Sequence, residues 1–136
     1  MAPVLKGGTN DIVRGFGPDA VFNAYLDIVH DIKNLGAVPV ICTVPPFSTG
    51  ATNYAYRNAF IVQLNAKLRQ YAKDEGLPLL DRYTALVNPD TGAMFDGYRR
   101  VNGSNTLDPY HMNAEGYRAI TPGAHAALGS ALAVKP

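Results

Sequence analysis

The stretch A37-V-P-V-I-C-T-V-P-P46 decides the fold that this sequence predicts. It is a near-continuous apolar run, rich in β-branched residues, and two prolines end it. Such a run is typical of a strand in a parallel sheet that is covered on both faces, because neither side of the strand then meets water. We therefore predict a buried strand at residues 37–46, with helices packed on both faces of its sheet.

Two helical patterns flank this strand in the sequence. Apolar residues recur at helical spacing between Pro18 and Gly36, and again across residues 52–76. Proline suits the first turn of a helix and glycine favours its end, so Pro18, Gly36 and Gly76 support these boundaries.

Shorter segments complete the pattern. Residues 3–6 and 77–81 predict two more strands. Residues 88–107 are rich in Gly, Asn and Asp and predict a long irregular connection. The last helix is predicted from about Asn113, and Pro122 is expected to break or restart it, because proline removes a helical hydrogen bond.

The order of these elements predicts a single α/β domain over residues 1–136. Strand, helix, strand, helix and strand in succession favour a parallel sheet with right-handed crossovers. Three predicted strands make a narrow sheet for a layer of helices on each face. In parallel sheets the chemistry collects at the carboxyl ends of the strands, so reactive side chains are expected there.

Composition argues against several classes of function. The chain has 136 residues, 47% apolar and 17% charged, with a formal net charge of +1. It has no block of like charges to bind a nucleic acid or an anionic membrane surface, and no apolar run long enough to span a membrane. Cys42 is the only cysteine, so it has no partner for an internal disulfide; we expect a buried structural thiol, with a catalytic thiol as the alternative. The histidines are scattered, and neither G-x-G-x-x-G nor a P-loop is present, so we predict no metal and no cofactor.

The segment L107-D-P-Y-H-M-N-A-E-G-Y117 carries the best candidate for acid–base chemistry. Asp108 and His111 are three residues apart on a loop that enters the last helix. A carboxylate so close in sequence can accept the imidazole Nδ1–H, which leaves Nε2 free to act as a general base. A local turn contact or a helix cap is the alternative interpretation. His30 and His125 lie within predicted helices and are expected to be structural or exposed.

A second candidate lies where the first strand ends, at G7-G-T-N-D11. Asn10 can donate its side-chain N–H groups to a developing oxyanion, and Gly8 allows the tight turn that presents them. The alternative is an Asx-type turn that leads into the first helix.

Together these segments resemble the SGNH (GDSL-type) hydrolase family. G-x-N-D follows the first strand, T-V-P-P ends the second, and D-x-x-H with N-x-x-G-Y opens the last helix. The resemblance implies a three-layer flavodoxin-like sheet and the activity of an esterase or lipase. It implies that Asn10 contributes to the oxyanion hole, with Gly8 as the glycine of that motif. It also implies that His111 is the base and that Asp108 orients it.

The sequence departs from the family at the nucleophile. The family's serine lies in a G-D-S segment before G-x-N-D, and this sequence contains no G-D-S. The chain therefore resembles the C-terminal two-thirds of such a domain. Ser48 is the geometrically better substitute and Ser104 the weaker one, with a polar turn serine as the alternative for both. Two other routes are attack by water that His111 activates and attack by a serine from a partner chain.

The resemblance implies a carboxylic ester hydrolase for short-chain acyl or aryl esters, impaired because the usual nucleophile is absent. Phe47, Tyr54, Phe95 and Tyr98 are expected to line an acyl or aryl pocket, although core packing explains such aromatic residues equally well. The alternative is an inactive domain that folds and oligomerises without turnover. The first strand would have an uncovered edge, so we predict a homo-oligomer that covers it.

Overall fold

The computed structural model describes residues 1–133 and has an α/β fold. In chain order its elements are β1 (Val4–Leu5), α1 (Thr9–Val13), α2 (Pro18–Asn34), β2 (Val40–Cys42), α3 (Tyr54–Asp74), β3 (Leu79–Leu80), α4 (Arg82–Leu86), a 3-10 turn (Asp96–Tyr98), β4 (Arg99–Val101), β5 (Leu107–Met112) and α5 (Ala114–Ala133). The first three strands form a parallel sheet in the order β1-β2-β3, and β4 pairs antiparallel with β5. The predicted α/β class with a parallel sheet is confirmed. Residues 134–136 of the predicted domain lie outside the described residues.

β2 is the centre of the sheet and of the core. Its residues Val40, Ile41 and Cys42 are no more than 1% exposed. One face of the sheet packs against α2 and α3, through a cluster that includes Val29, Ile41, Ile61, Leu64 and Leu68. The other face packs against α5, through Val40, Cys42, Leu80, Ala127 and Ala131. Burial raises the pKa of the Cys42 thiol to about 11, so this thiol stays protonated at neutral pH.

The segment that follows β2, residues 43–48, is irregular in conformation and fully buried. Its backbone N–H and C=O groups therefore need partners other than water. Asn65 of α3 accepts a hydrogen bond from the Val44 N–H at 2.7 Å and donates one to the Val44 carbonyl at 2.8 Å. Asn58 of the same helix makes the same pair of bonds with Phe47, at 2.8 and 3.0 Å. Two side chains of α3 thus hold segment 43–48 in place.

Residues 88–107 are more ordered than the sequence predicts. The prediction of one long irregular connection is wrong in part, because β4 and the start of β5 lie within it. Val87 and Met94 also form an isolated antiparallel bridge. The strand Arg99–Val101 shows no apolar alternation, so its pairing with β5 leaves no period-2 signal in the sequence.

α5 is one continuous helix, so the predicted break at Pro122 is wrong. Ala127 and Ala131, which follow the proline, are buried against the sheet. Their packing offsets the hydrogen bond that Pro122 removes. The Thr121 side chain also donates a hydrogen bond to the carbonyl of Tyr117 at 2.9 Å, one turn earlier.

We expect Asn65→Leu to lower the free energy of unfolding by about 2 kcal/mol or more, because leucine leaves both backbone groups of Val44 buried without a partner. Urea denaturation followed by circular dichroism measures this change. Gln63→Leu, at an exposed position of the same helix, is the matched control and should change stability by no more than about 0.5 kcal/mol. Equal effects of the two substitutions would contradict the role of Asn65.

Candidate active site

A cavity of about 320 Å³ lies beside the carboxyl ends of the parallel strands. Asn10 reaches it from α1, which follows β1, and Arg82 reaches it from the start of α4, which follows β3. His111 and Tyr110 of β5 line the same cavity. The fold therefore brings together residues that are far apart in the chain, at the edge of the sheet where the sequence predicts chemistry.

The Asp108–His111 pair is formed within β5. Asp108 Oδ2 lies 2.9 Å from Nδ1 of His111, and Asp108 Oδ1 accepts hydrogen bonds from the N–H groups of Tyr110 and His111 at 2.8 and 2.9 Å. Burial alone would raise the pKa of Asp108, but these hydrogen bonds outweigh it and hold the pKa below its usual value. An ionised carboxylate only accepts hydrogen bonds, so Nδ1 carries the proton and Nε2 is the ring nitrogen left for a substrate.

Contacts with segment 43–48 fix the position of this pair. The Ser48 N–H donates to the carbonyl of Pro109 at 3.2 Å. The rings of Phe47 and Tyr110 meet edge to face, with their centroids 5.3 Å apart. The two residues between Asp108 and His111 are therefore attached to the core, Pro109 by a hydrogen bond and Tyr110 by an aromatic contact.

Arg99, at the start of β4, is a buried residue that supports β5 and that the sequence analysis missed. Its Nε donates to the carbonyl of Asp108 at 3.2 Å, and Nη2 donates to the carbonyl of Leu107 at 3.0 Å. Its Nη1 donates to the Asp96 carboxylate at 2.8 Å. In the sequence Arg99 is one of two adjacent arginines in a Gly- and Asn-rich stretch, and nothing there distinguishes it from Arg100.

Asn10 and Gly8 lie at the end of β1. Asn10 belongs to α1 instead of the predicted turn, and within residues 1–133 its side-chain amide forms no hydrogen bond, so it is available to a ligand. Gly8 precedes α1 with φ of +94°, and a Cβ there would lie 2.9 Å from Val44 Cγ2. Gly8 lines an adjoining cavity with Asn10, and its required backbone conformation explains why glycine occupies this position.

Three other predicted site residues do not reach the His111 cavity. Ser48 is completely buried, and its hydroxyl oxygen has no hydrogen-bond partner within the described residues. Phe47 is 1% exposed and belongs to the core cluster on the α2 and α3 side of the sheet. Ser104 is exposed in the turn between β4 and β5. Ser48 and Ser104 are not placed to attack a substrate in this cavity, and Phe47 does not line it, because tertiary packing assigns them other surroundings.

The cavity also contains charged residues that the sequence analysis did not select. Arg82 is 5% exposed, and burial lowers its pKa from the usual arginine value. Lys6, which follows β1, lines the same cavity. The sequence did contain a signal for Arg82, because it is a cation directly after the predicted strand L-P-L-L-D. Residues at the carboxyl ends of parallel strands commonly contribute to a site.

Residues 1–133 contain neither a cluster of metal ligands nor a helix that could span a membrane. No group of three or more His, Cys, Asp or Glu side chains is arranged to hold a metal ion in this part of the chain. None of the helices described there is both long and apolar enough to cross a membrane.

Several solved structures of other proteins share this fold. A protein from Bacteroides fragilis assigned as an acylhydrolase is 25% identical, with a TM-score of 0.78, over 96% of this chain and 62% of that one. A GDSL-like lipase from Bacteroides thetaiotaomicron is 22% identical, with a TM-score of 0.74 and the same coverage of 96% and 62%. The OSK domain of Drosophila Oskar is 18% identical, with a TM-score of 0.73, over 93% of this chain and 61% of that one.

The chain spans about 62% of the length of the first two of these structures. No curated protein sequence matches it. The model of the GDSL-like lipase/acylhydrolase family matches residues 3–119, a range that contains Asn10, Asp108 and His111. Because this match covers most of the sequence, the chain belongs to the GDSL-like lipase/acylhydrolase family.

Proposed function

We propose that this chain hydrolyses carboxylic esters with short acyl or aryl groups. The observation that carries the proposal is that His111, paired with Asp108 at 2.9 Å, lines one cavity with Asn10. A carboxylate-oriented imidazole supplies a general base, and an amide donor supplies oxyanion stabilisation, which are two requirements of ester cleavage. Membership of a lipase/acylhydrolase family supports the ester as the bond that is cleaved.

Water is the nucleophile that best fits this cavity. None of the serines of the chain, Ser48, Ser104 and Ser130, is among the residues that line it. In the proposed reaction His111 Nε2 takes a proton from water, and the water oxygen bonds to the ester carbonyl carbon. Asn10 donates a hydrogen bond to the resulting oxyanion. The bond to the alcohol oxygen then breaks, and His111 returns the proton to that oxygen, which yields an acid and an alcohol.

The second candidate is a domain without turnover, and the buried state of Ser48 favours it. A direct attack by water forgoes the acyl-enzyme intermediate that divides a difficult reaction into two easier steps. The rate would therefore be lower than that of an enzyme with a serine nucleophile, although oxyanion stabilisation and binding alone still accelerate a reaction. The two candidates differ in whether any hydrolysis depends on His111.

We expect His111→Gln to lower kcat/KM for p-nitrophenyl acetate by about 100-fold or more, because glutamine cannot take the proton from water. Asp108→Asn should also lower it, since the amide no longer accepts the imidazole N–H as a carboxylate does. His125→Gln is the matched control, because His125 is exposed on α5 and outside the cavity. Hydrolysis equal in the His111 and His125 variants would refute the assignment.

Fluorophosphonate labelling tests the nucleophile separately. If water attacks, the chain should hydrolyse p-nitrophenyl acetate without becoming labelled, and Ser48→Ala should retain this activity. Because Ser48 is completely buried, the reagent has no path to its hydroxyl in this conformation. Labelling of the unaltered chain that disappears in Ser48→Ala would show that Ser48 becomes exposed and replaces water as the nucleophile.

We also propose that two or more copies of the chain associate at the outer edge of β1. Within residues 1–133 this strand pairs with β2 only. A groove of about 410 Å³ runs beside it, lined in part by Leu5, Phe16 and Ile28, and the last two side chains are about half exposed. An unpaired strand edge beside exposed apolar side chains favours association between chains.

Light scattering coupled to size exclusion tests this association at micromolar concentration. We expect a dimer or a larger species for the unaltered chain and a shift toward monomer for Ile28→Lys, because a charge in the groove is costly to bury. Val101→Lys, at an exposed apolar position of β4, is the control and should leave the mass unchanged. A monodisperse monomer for the unaltered chain would refute the proposal.

A further inference from the structure

Arg82 is a buried cation that faces two cavities. It is 5% exposed and lies at the first position of α4, which only Asp81 separates from β3. It lines the His111 cavity and the adjoining cavity of about 240 Å³ that Gly8 and Asn10 also line. Its side chain therefore shares one cavity with both the candidate oxyanion donor and the candidate base.

Within residues 1–133, Arg82 forms no ion pair and donates no side-chain hydrogen bond. The carboxylate next to it in sequence, Asp81, bonds instead to Arg69, at 2.9 and 3.0 Å. Asp11 lines the adjoining cavity but forms no ion pair with Arg82. Arg99, the other buried arginine among the described residues, has three hydrogen-bond partners.

The guanidinium nitrogens of Arg82 remain accessible from the cavities. Within residues 1–133, Ser48 Oγ is the only solvent-inaccessible side-chain nitrogen or oxygen atom that lacks a hydrogen-bond partner. The unpaired nitrogens of Arg82 must therefore retain some accessible surface. A buried charge without a partner is costly, and arginine does not lose its proton to avoid that cost. A ligand anion would supply the missing partner.

The charges around the His111 cavity favour an anion. Lys6 and Arg82 both line it, and no aspartate or glutamate of the described chain does so. Asp108 lies beside the cavity, but its carboxylate is already engaged by His111 and by two backbone N–H groups. The lining thus carries two positively charged side chains, and neither forms an ion pair with a carboxylate of residues 1–133.

We propose that Arg82 binds the carboxylate of a substrate, so that the preferred esters are half-esters of small dicarboxylic acids. A guanidinium presents two parallel N–H donors that match the two oxygens of a carboxylate. The free carboxylate would pair with Arg82, while the ester group lies between Asn10 and His111. The substrate class rests on the ester hydrolysis proposed above, whereas carboxylate binding at Arg82 does not.

Titration of the unaltered, ¹⁵N-labelled chain with succinate tests the site by NMR, and succinamide serves as an uncharged analogue of the same shape. We expect succinate to bind at least about tenfold more tightly than succinamide and to shift the signals of Asn10 and His111, because a charge-assisted hydrogen bond is worth about one factor of ten or more. Arg82→Gln should remove this preference, and Arg82→Lys should retain part of it. Arg100→Gln, at an exposed arginine of β4, should leave it unchanged.

Equal binding of succinate and succinamide to the unaltered chain would overturn the proposal, and this comparison needs no variant to fold. A preference for succinate that survives in folded Arg82→Gln would overturn it as well. Succinate binding without turnover of p-nitrophenyl acetate would leave the carboxylate site in place and refute the proposed hydrolysis. Turnover without a preference for succinate would refute the site alone.

Discussion

The rest of the structure depends on the hydrogen bonds that the side chains of Asn58 and Asn65 form with the backbone of segment 43–48. A buried stretch without regular secondary structure is stable only if its backbone groups find partners inside the protein. Two amides of α3 meet this need at Val44 and Phe47. Once the segment is held, its other contacts can support β5, and through β5 the Asp108–His111 pair. The geometry of the candidate site therefore depends on a helix that contributes nothing to its lining.

The charged groups of the site fall into two kinds. Asp108 is surrounded by donors and helps to orient an imidazole, so its charge is satisfied within the protein. Arg82 is more deeply buried and has no such partner in the described chain. The bonded carboxylate of Asp108 is suited to orient His111, whereas the unpaired guanidinium of Arg82 is suited to bind an anionic ligand. Asp108 thus has a positioning role, and Arg82 has a role in ligand selection.

Sequence reasoning succeeded where the information is local. The buried strand around β2 follows from one apolar run, and the Asp108–His111 pairing follows from a spacing of three residues. It failed where the environment is tertiary. Nothing near Ser48 in the sequence indicates that it is buried or that it bonds to β5, because the contact with Pro109 joins distant parts of the chain. The sequence predicts that Pro122 breaks a helix, and the packing of that helix against the sheet, which is a tertiary contact, helps to explain why it does not.

The separation of these contacts along the chain bears on the order in which the protein folds. Asn65 and Val44 are 21 residues apart, and Asn58 and Phe47 are 11 apart. Ser48 and Pro109 are much further apart, so closing the loop between them costs more entropy. Contacts of low sequence separation tend to form first. The body made of β2, segment 43–48 and α3 is therefore expected to assemble early, and the hairpin that carries His111 is expected to dock onto it late.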